Sequence, residues 1–518
     1  MASTCNSHHS HRFLHLWMVL SLLLMMSLAS NPCHALQSFG FDIHHRFSEP
    51  VKGILGIDEV PDKGTREYYV AMATRDRVFR GRRLAGDDQT PVTFVPGNET
   101  YRIGSFGFLH FANVSVGTPA SSFLVALDTG SDLFWLPCNC TKCVRGIKTS
   151  GQRIDFNIYD IQESSTSQNV LCNSSLCDSQ RQCSSSAETC PYQVNYLSNG
   201  TSTTGFLVED VLHLITDDDH TKDADTRITF GCGQVQTGAF LDGAAPNGLF
   251  GLGMGNVSVP SVLAKQGLTS NSFSMCFGPD GLGRITFGDN SSMDQGKTPF
   301  NLRPLHPTYN ITITQIIVGK NVADVEFHAI FDSGTSFTAL SDPAYTQITQ
   351  GFNSAVKLQR HSSSDSDADL PFEYCYNLSP NQKIQVPINL TMKGGDNYLV
   401  MDPIVTVSGQ GVNLLCLGIV KSENVNIIGQ NFMTGYRIVF DRENMVLGWK
   451  ESNCYDDELT NLPSNRSQPP AVSPAMAVNP EVTSNQSNEP ERPSSGHSFK
   501  IKPAFAFTTA FLLLLAIF

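Results

Sequence analysis

The 518-residue chain changes texture three times along its length. An apolar block from Leu14 to Leu28 follows the polar and basic stretch His8-His9-Ser10-His11-Arg12. From about Tyr101 onwards, short apolar runs recur, broken by Gly, Asn and Pro, with few long stretches of 3.6-residue period. Thr201 to Leu214, Arg284 to Gly288 and Tyr436 to Phe440 are such runs, and they predict strands. Short helices are predicted near Val259 to Gln266 and near Asp342 to Thr349. From 456 to 503 the chain is rich in Ser, Pro, Asn and Glu, and it closes on the almost wholly apolar run Ala504 to Phe518. The central pattern predicts an all-β fold, mainly strands with short helices.

Within that pattern one motif occurs twice. Asp128-Thr129-Gly130-Ser131 follows the apolar run Phe123 to Leu127, and Asp332-Ser333-Gly334-Thr335 follows Ala329-Ile330-Phe331. Singly, each reads as a turn at the end of a strand, since Asp tolerates tight turns and Gly relaxes them. Together they offer two carboxylates that can face each other, share a proton and activate water. Each motif is trailed by an apolar-apolar-Gly element, Gly248-Leu249-Phe250-Gly251 in one case and Asn426-Ile427-Ile428-Gly429 in the other. That spacing implies a repeated lobe.

Charge and cysteine content narrow the setting. Charged residues are only 16% and Gly numbers 41, which suits a turn-rich β protein. The net charge of −13 argues against nucleic acid as a partner. The first 35 residues read as a secretory signal with cleavage after Ala35. Its removal takes Cys5 and Cys33 and leaves twelve of the fourteen cysteines, an even number that fits disulfides in an oxidising compartment. N-x-Ser/Thr sequons at Asn98, Asn113, Asn139, Asn173, Asn199, Asn256, Asn290, Asn310, Asn377, Asn389, Asn465 and Asn485 fit a secreted surface.

The two ends carry their own expectations. The small residues Ser494-Ser495-Gly496, a polar spacer from His497 to Lys502 and a fifteen-residue apolar end have the grammar of a GPI-anchor signal, with Ser494 or Ser495 as attachment site. The stretch from Arg66 to Arg83, ending Arg80-Gly81-Arg82-Arg83, is basic and helix-compatible. Upstream of an acidic protein it reads as a prosegment covering an acidic cleft. The expected organisation is a signal peptide (1–35), a prosegment (36–95), an N-terminal lobe with a disulfide-rich insert (96–290), a C-terminal lobe (291–455), a disordered stalk (456–495) and an anchor signal (496–518). The expected location is the secretory pathway and the cell surface, on the outer membrane leaflet, with apoplast or vacuole as the alternative.

The run Asp128-Thr-Gly-Ser-Asp-Leu-Phe-Trp135-Leu-Pro137, with Asp332-Ser-Gly-Thr-Ser336, resembles the pepsin-like aspartic proteases, nearest to their plant nepenthesin-like branch. The resemblance covers roughly residues 100 to 455. It implies a bilobal pepsin-like fold with a central cleft, and an aspartic endopeptidase acting as a monomer on peptide or protein substrates without cofactor or metal. It makes Asp128 and Asp332 the catalytic pair. It assigns dyad support to Thr129, Gly130, Ser131, Ser333, Gly334 and Thr335, and flap support to Trp135. Tyr196 becomes the flap tyrosine, with Tyr192 as the alternative. The flap reads Tyr196-Leu-Ser-Asn-Gly200, one residue longer than the family pattern. By resemblance, the disulfides are Cys138–Cys140, Cys143–Cys232, Cys172–Cys190, Cys177–Cys183, Cys276–Cys454 and Cys375–Cys416.

Three rival readings remain. Pepsin-fold binding proteins, including plant inhibitors of cell-wall glycosidases, typically lose an active-site Asp or its partners, and both are intact in this chain. A serine hydrolase needs Gly-x-Ser-x-Gly, and Gly255-Asn256-Val257-Ser258 has the wrong spacing. The close cysteines suggest zinc, but no histidines lie beside them.

Overall fold

The apolar runs of the central region are buried along most of their length, as strands inside a sheet must be. The computed structural model describes residues 38–454 apart from 56–60, 81–92, 95–100, 103–108, 216–222, 302–306, 362–369 and several shorter loop stretches. The expected signal peptide, stalk and anchor signal, with Ser494 and Ser495, lie outside the described residues. Among the described residues no helix is long and apolar enough to cross a membrane.

The leading part forms strand β1 (Phe39–His45) and helices α1 (Glu49–Leu55) and α2 (Arg66–Arg80). The first half continues with β2 (His110–Val116), β3 (Ser121–Asp128), β4 (Trp135–Lys142), β5 (Pro191–Asn195), β6 (Ser202–Ile215), β7 (Asp223–Thr237), β8 (Leu249–Gly251), α3 (Val259–Lys265), β9 (Ser272–Phe277) and β10 (Leu282–Phe287). The second half adds β11 (Gly296–Pro299), β12 (Asn310–Val318), β13 (Phe327–Phe331), β14 (Thr338–Leu340), α4 (Ala344–Ala355), β15 (Ile388–Met392), β16 (Asn397–Val400), β17 (Ile419–Lys421), β18 (Ile427–Ile428), β19 (Tyr436–Asp441) and β20 (Val446–Glu451). The sequence-predicted strands and both short helices are present.

One 14-stranded sheet runs β5-β6-β7-β4-β8-β3-β2-β1-β10-β9-β19-β20-β11, with a short strand at Gln168–Asn169 beside β6. It draws β11, β19 and β20 from the second half, so the halves share a sheet. An 8-stranded sheet runs β16-β15-β12-β13-β18-β14-β17, with Asn321–Ala323 beside β12. The leading strand β1 sits inside the large sheet, paired along its length with β10 and at His44 and His45 with β2.

The two halves repeat one device. In the first, β3 runs parallel to β8, with Asp128 opposite Gly251, and β8 touches β4 antiparallel at Leu249 and Trp135. In the second, β13 runs parallel to β18, with Phe331 opposite Ile428, and β18 touches β14 antiparallel at Ile427 and Ala339. The late apolar-apolar-Gly element of each half is therefore the strand that flanks its own carboxylate motif. An asparagine just before each such strand ties the neighbours together. Asn247 Oδ1 accepts from the Leu124 amide at 3.1 Å, and Asn426 Nδ2 donates to the His328 carbonyl at 3.0 Å.

All twelve expected cysteines form disulfides, but four of the six expected pairings are corrected. Cys138 joins Cys232, and Cys140 joins Cys143. Cys138 and Cys140 lie two positions apart on β4, about 7 Å along an extended strand with parallel side chains, so they do not converge. Cys232, on the neighbouring parallel strand β7, lies 4.9 Å from Cys138 between Cα atoms. In the insert, Cys172 joins Cys183 and Cys177 joins Cys190, not Cys172–Cys190 and Cys177–Cys183. Leu171 bridges Thr189 antiparallel, which leaves Cys172 and Cys190 diagonal to each other. Diagonal neighbours are about 7–8 Å apart, too far for a bridge. Cys276–Cys454 and Cys375–Cys416 are paired as the resemblance implies.

Candidate active site

Each carboxylate motif begins where a buried strand ends. Along β3 the chain is buried from Phe123 to Asp128, and the next residues turn away as a loop. Gly130 donates its amide to Asp128 Oδ1 at 2.9 Å, and the Ser131 hydroxyl donates to Oδ2 at 2.6 Å. The second loop repeats this: the Gly334 amide donates to Asp332 Oδ1 at 2.9 Å and the Thr335 hydroxyl to Oδ2 at 2.6 Å. Between the loops, Thr129 Oγ1 and Ser333 Oγ lie 3.4 Å apart, and the Ser333 amide reaches Thr129 Oγ1 at 3.4 Å.

The two carboxylates border the same small space. A Cβ built on Gly334 would lie 3.0 Å from Asp332 Oδ1 and 3.9 Å from Asp128 Oδ1. Neither Gly130 nor Gly334 has a positive φ. Their lack of a side chain serves close approach, since a Cβ at Gly130 would stand 3.2 Å from Asp128 Oδ1. Asp128 is 9% exposed. Burial first, and the charge of Asp332 with it, push its carboxyl up to about 6, against the pull of Ser131, Gly130 and the Arg75 charge.

Over the first loop stands the hairpin of β5 and β6. The Tyr196 amide donates to the Thr201 carbonyl at 2.9 Å, closing the hairpin towards its tip. Trp135 is fully buried and donates Nε1–H to the Tyr196 hydroxyl at 2.9 Å. Phe240 packs edge-on against both rings, with centroids 4.9 and 5.0 Å away. The Tyr196 hydroxyl lies close enough for Asp128 and Ser131 to act on it, and burial first, then Asp128, hold it well above the usual phenol range. Tyr192 sits lower in the hairpin, where its hydroxyl pairs with Thr203 Oγ1 at 3.0 Å. The lengthened turn at residues 197–199 lies outside the described residues.

Sequence reasoning missed the residue that touches the second loop from outside it. Asp76, in α2, accepts hydrogen bonds from the Ser336 amide at 3.0 Å, the Ser336 hydroxyl at 2.8 Å and the Phe337 amide at 3.2 Å. It also pairs with Arg75 Nη1 at 2.8 Å. The charge of Arg75 reaches Asp128. Helix α2 thus contacts the site through an acid and a base together, where only the basic character stood out in the sequence. Tyr69 and Met72 of α2 pack in an apolar cluster with Phe337 and Phe372, and Val51 of α1 in another with Trp135 and Leu133.

The close sulfurs of Cys172, Cys177 and Cys183 are accounted for by two adjacent disulfides.

Comparison with known proteins finds relatives for the chain. The chain matches the family described as "Xylanase inhibitor N-terminal" over residues 110–289, and "Xylanase inhibitor C-terminal" over residues 308–451. It is 55% identical to "Aspartyl protease family protein 1" of Arabidopsis thaliana, across 97% of this chain and 98% of that one. It is 27% identical to "Aspartic proteinase nepenthesin-2" of Nepenthes gracilis, across 80% of this chain and 94% of that one. In fold it is similar to basic 7S globulin from soybean, at a TM-score of 0.52 and 22% identity, over 68% of this chain and 94% of that one. The chain belongs to the plant pepsin-like aspartic proteases.

Proposed function

We propose that this protein is an aspartic endopeptidase that cleaves peptide bonds in acid by water activated between Asp128 and Asp332. The observation that carries this is the duplicated cradle. Each carboxylate is held by an amide two residues on and a hydroxyl three residues on, and both Oδ1 atoms lie within 4 Å of one point. Two such carboxyls do not both ionise, a rule established for aspartic proteases as a class and taken over as such. The ionised member takes a proton from water and the protonated member polarises the scissile carbonyl. The roles reverse as the amine leaves. The dyad titrates as a unit, so the proton is not assigned to one residue. With Asp128 pushed up to about 6, activity falls as pH rises past that value, because the doubly charged pair has no acid.

The test is cleavage of a denatured protein by matured enzyme at about pH 4 to 5, with and without pepstatin. Asp128→Asn and Asp332→Asn each reduce kcat by about 10³-fold or more. Undiminished cleavage by Asp128→Asn removes the assignment.

The matching family descriptions name xylanase inhibitors, so a catalytically silent binding protein is the second reading. It predicts no cleavage at any pH and tight association with a cell-wall glycosidase.

Residues 36–95 are proposed as a prosegment that covers the site through Arg75 and Asp76. A secreted, glycosylated monomer held on the outer leaflet by a lipid at Ser494 or Ser495 completes the reading. Release from cells by a phosphatidylinositol-specific phospholipase tests the anchor.

A further inference from the structure

The inner face of α2 is written at helical spacing. Tyr69, Met72, Ala73 and Asp76 fall at positions i, i+3, i+4 and i+7, so they share one side of the helix. All four are buried, and Asp76 is 7% exposed. The three apolar residues join a cluster with Phe337, Phe372, Val407 and Leu414 of the second half. The Tyr69 ring stands 6.2 Å from that of Phe337 and 5.8 Å from that of Phe372, between centroids. One turn further along α2, the Asp76 carboxylate enters the bend that follows Asp332. It accepts there from the Ser336 amide, the Ser336 hydroxyl and the Phe337 amide.

That bend is held by its own lobe. The Thr335 amide donates to the Asp332 carbonyl at 3.2 Å, and the Gln430 amide to the Thr335 carbonyl at 2.7 Å. The Asn431 amide donates to the Ser336 carbonyl at 3.1 Å, and Asn431 Oδ1 accepts from the Thr338 amide at 2.8 Å. Between these ties, two successive amides and a hydroxyl converge on one carboxylate, which is the construction of an anion-binding concavity. Arg46 and Arg75, cations that face Asp76, both belong to the leading segment. The donors that the lobe itself gives to Asp76 are neutral and act by hydrogen bonding. Ser336 lies four residues beyond Asp332, so the concavity borders the dyad.

We propose that Ser336 and Phe337 form a subsite for the side-chain carboxylate of a bound peptide, and that Asp76 occupies it until the leading segment is gone. This rests on the peptidase reading and on residues 36–95 being a removable prosegment. The class of peptide follows from what α2 places there. Phe337 gives its amide to the acid and its ring to Tyr69, so acidic and large apolar contacts adjoin. Met72 and Asp76 are four residues apart on the helix, a rise of about 6 Å. An extended peptide, at about 3.3 Å per residue, covers that distance in about two residues. Favoured substrates therefore carry Asp or Glu two positions from a large apolar residue, close to the bond that is cut.

Two experiments test this. The first uses the full chain carrying Asp128→Asn, which blocks self-cleavage. Added Asp76→Ala empties the concavity, and sodium acetate is the probe. Acetate is expected to raise the melting temperature of the Asp76→Ala chain in a saturable way, against sodium chloride at equal ionic strength, and to leave the parent unchanged. Added Ser336→Ala weakens that rise. Equal responses with and without Asp76 overturn the subsite. Should Asp76→Ala not fold, the second experiment decides alone.

In the second, matured wild-type enzyme is given end-blocked peptides that differ only as Asp or Asn, two positions from a Phe, with the pair moved stepwise across the cut bond. At pH 5 an aspartate side chain is largely ionised, and kcat/KM is expected to favour Asp by about tenfold or more at one register. Ser336→Ala cuts that ratio several-fold, whatever it does to the Asn peptide. Equal rates for Asp and Asn at every register overturn the subsite. If no peptide is cleaved, the peptidase reading fails, and the same pairs are measured for binding by calorimetry. A preference for Asp that needs Ser336 then keeps the subsite, and its absence overturns that as well.

Discussion

At the scale of single residues, the site is two carboxylates and the donors that hold them. Ser131 donates to Asp128 Oδ2, a bond that favours the charged form. Ser131→Ala therefore raises the Asp128 carboxyl above about 6 and moves the alkaline limb of the pH–rate profile upward, by up to about one unit. A limb that stays in place or moves down contradicts that role. These residues were legible because their chemistry is local: an Asp, a hydroxyl residue and a Gly within four positions, written twice. Asp76 was not legible, because one acid in a basic stretch looks like helix surface, and its partners Ser336 and Phe337 lie 260 and 261 residues away. Asn247 and Asn426 were within reach, since each immediately or nearly precedes the apolar-apolar-Gly element already recognised as a repeat.

At the scale of elements, strand ends and hairpins set where side chains reach. Trp135→Phe keeps the ring packing on Phe240 but loses the bond to the Tyr196 hydroxyl. A hydrogen bond of this kind contributes about 1 kcal/mol, so kcat/KM should fall several-fold to tenfold with little change in melting temperature. Gly248 is a stricter position. It has φ +90°, and a Cβ there would lie 1.9 Å from the Trp135 carbonyl oxygen. Gly248→Ala should destabilise the fold by about 3 kcal/mol or more, read as a lowered denaturant midpoint. Strand burial also sorts the sequons. Asn310, in β12, is 6% exposed and accepts from Asn301 Nδ2, whereas Asn113, Asn139, Asn173, Asn256, Asn290 and Asn377 are exposed. Glycopeptide mapping should find Asn310 unmodified and sugars among the exposed six. The strands themselves were readable from alternating runs and turn residues. The disulfides were not, because pairing depends on which strands lie side by side, and β4 and β7 are parallel neighbours from distant parts of the chain.

At the scale of the whole molecule, proton balance and topology decide behaviour. His213 carries a raised value. Burial works against the charge, but the Gly117 carbonyl and the Asp225 carboxylate, 2.8 and 2.6 Å away, outweigh it. Its stabilising effect is thus complete below about 6.5 and disappears as pH climbs through the raised value. His213→Gln should lower the melting temperature at pH 5.5 and leave it nearly unchanged at pH 9, by calorimetry. The fold as a whole was legible from its duplication. What the duplication did not disclose is that β1, ahead of both repeats, lies between β2 and β10 in the large sheet. A nick anywhere between residues 81 and 108 leaves that strand stitched to its neighbours by a full ladder on one side. Scission and dissociation are then separate events. A denaturing gel would display two fragments while the native particle still migrates as one, and catalytic turnover would trail the appearance of the smaller band by however long a central strand takes to be withdrawn.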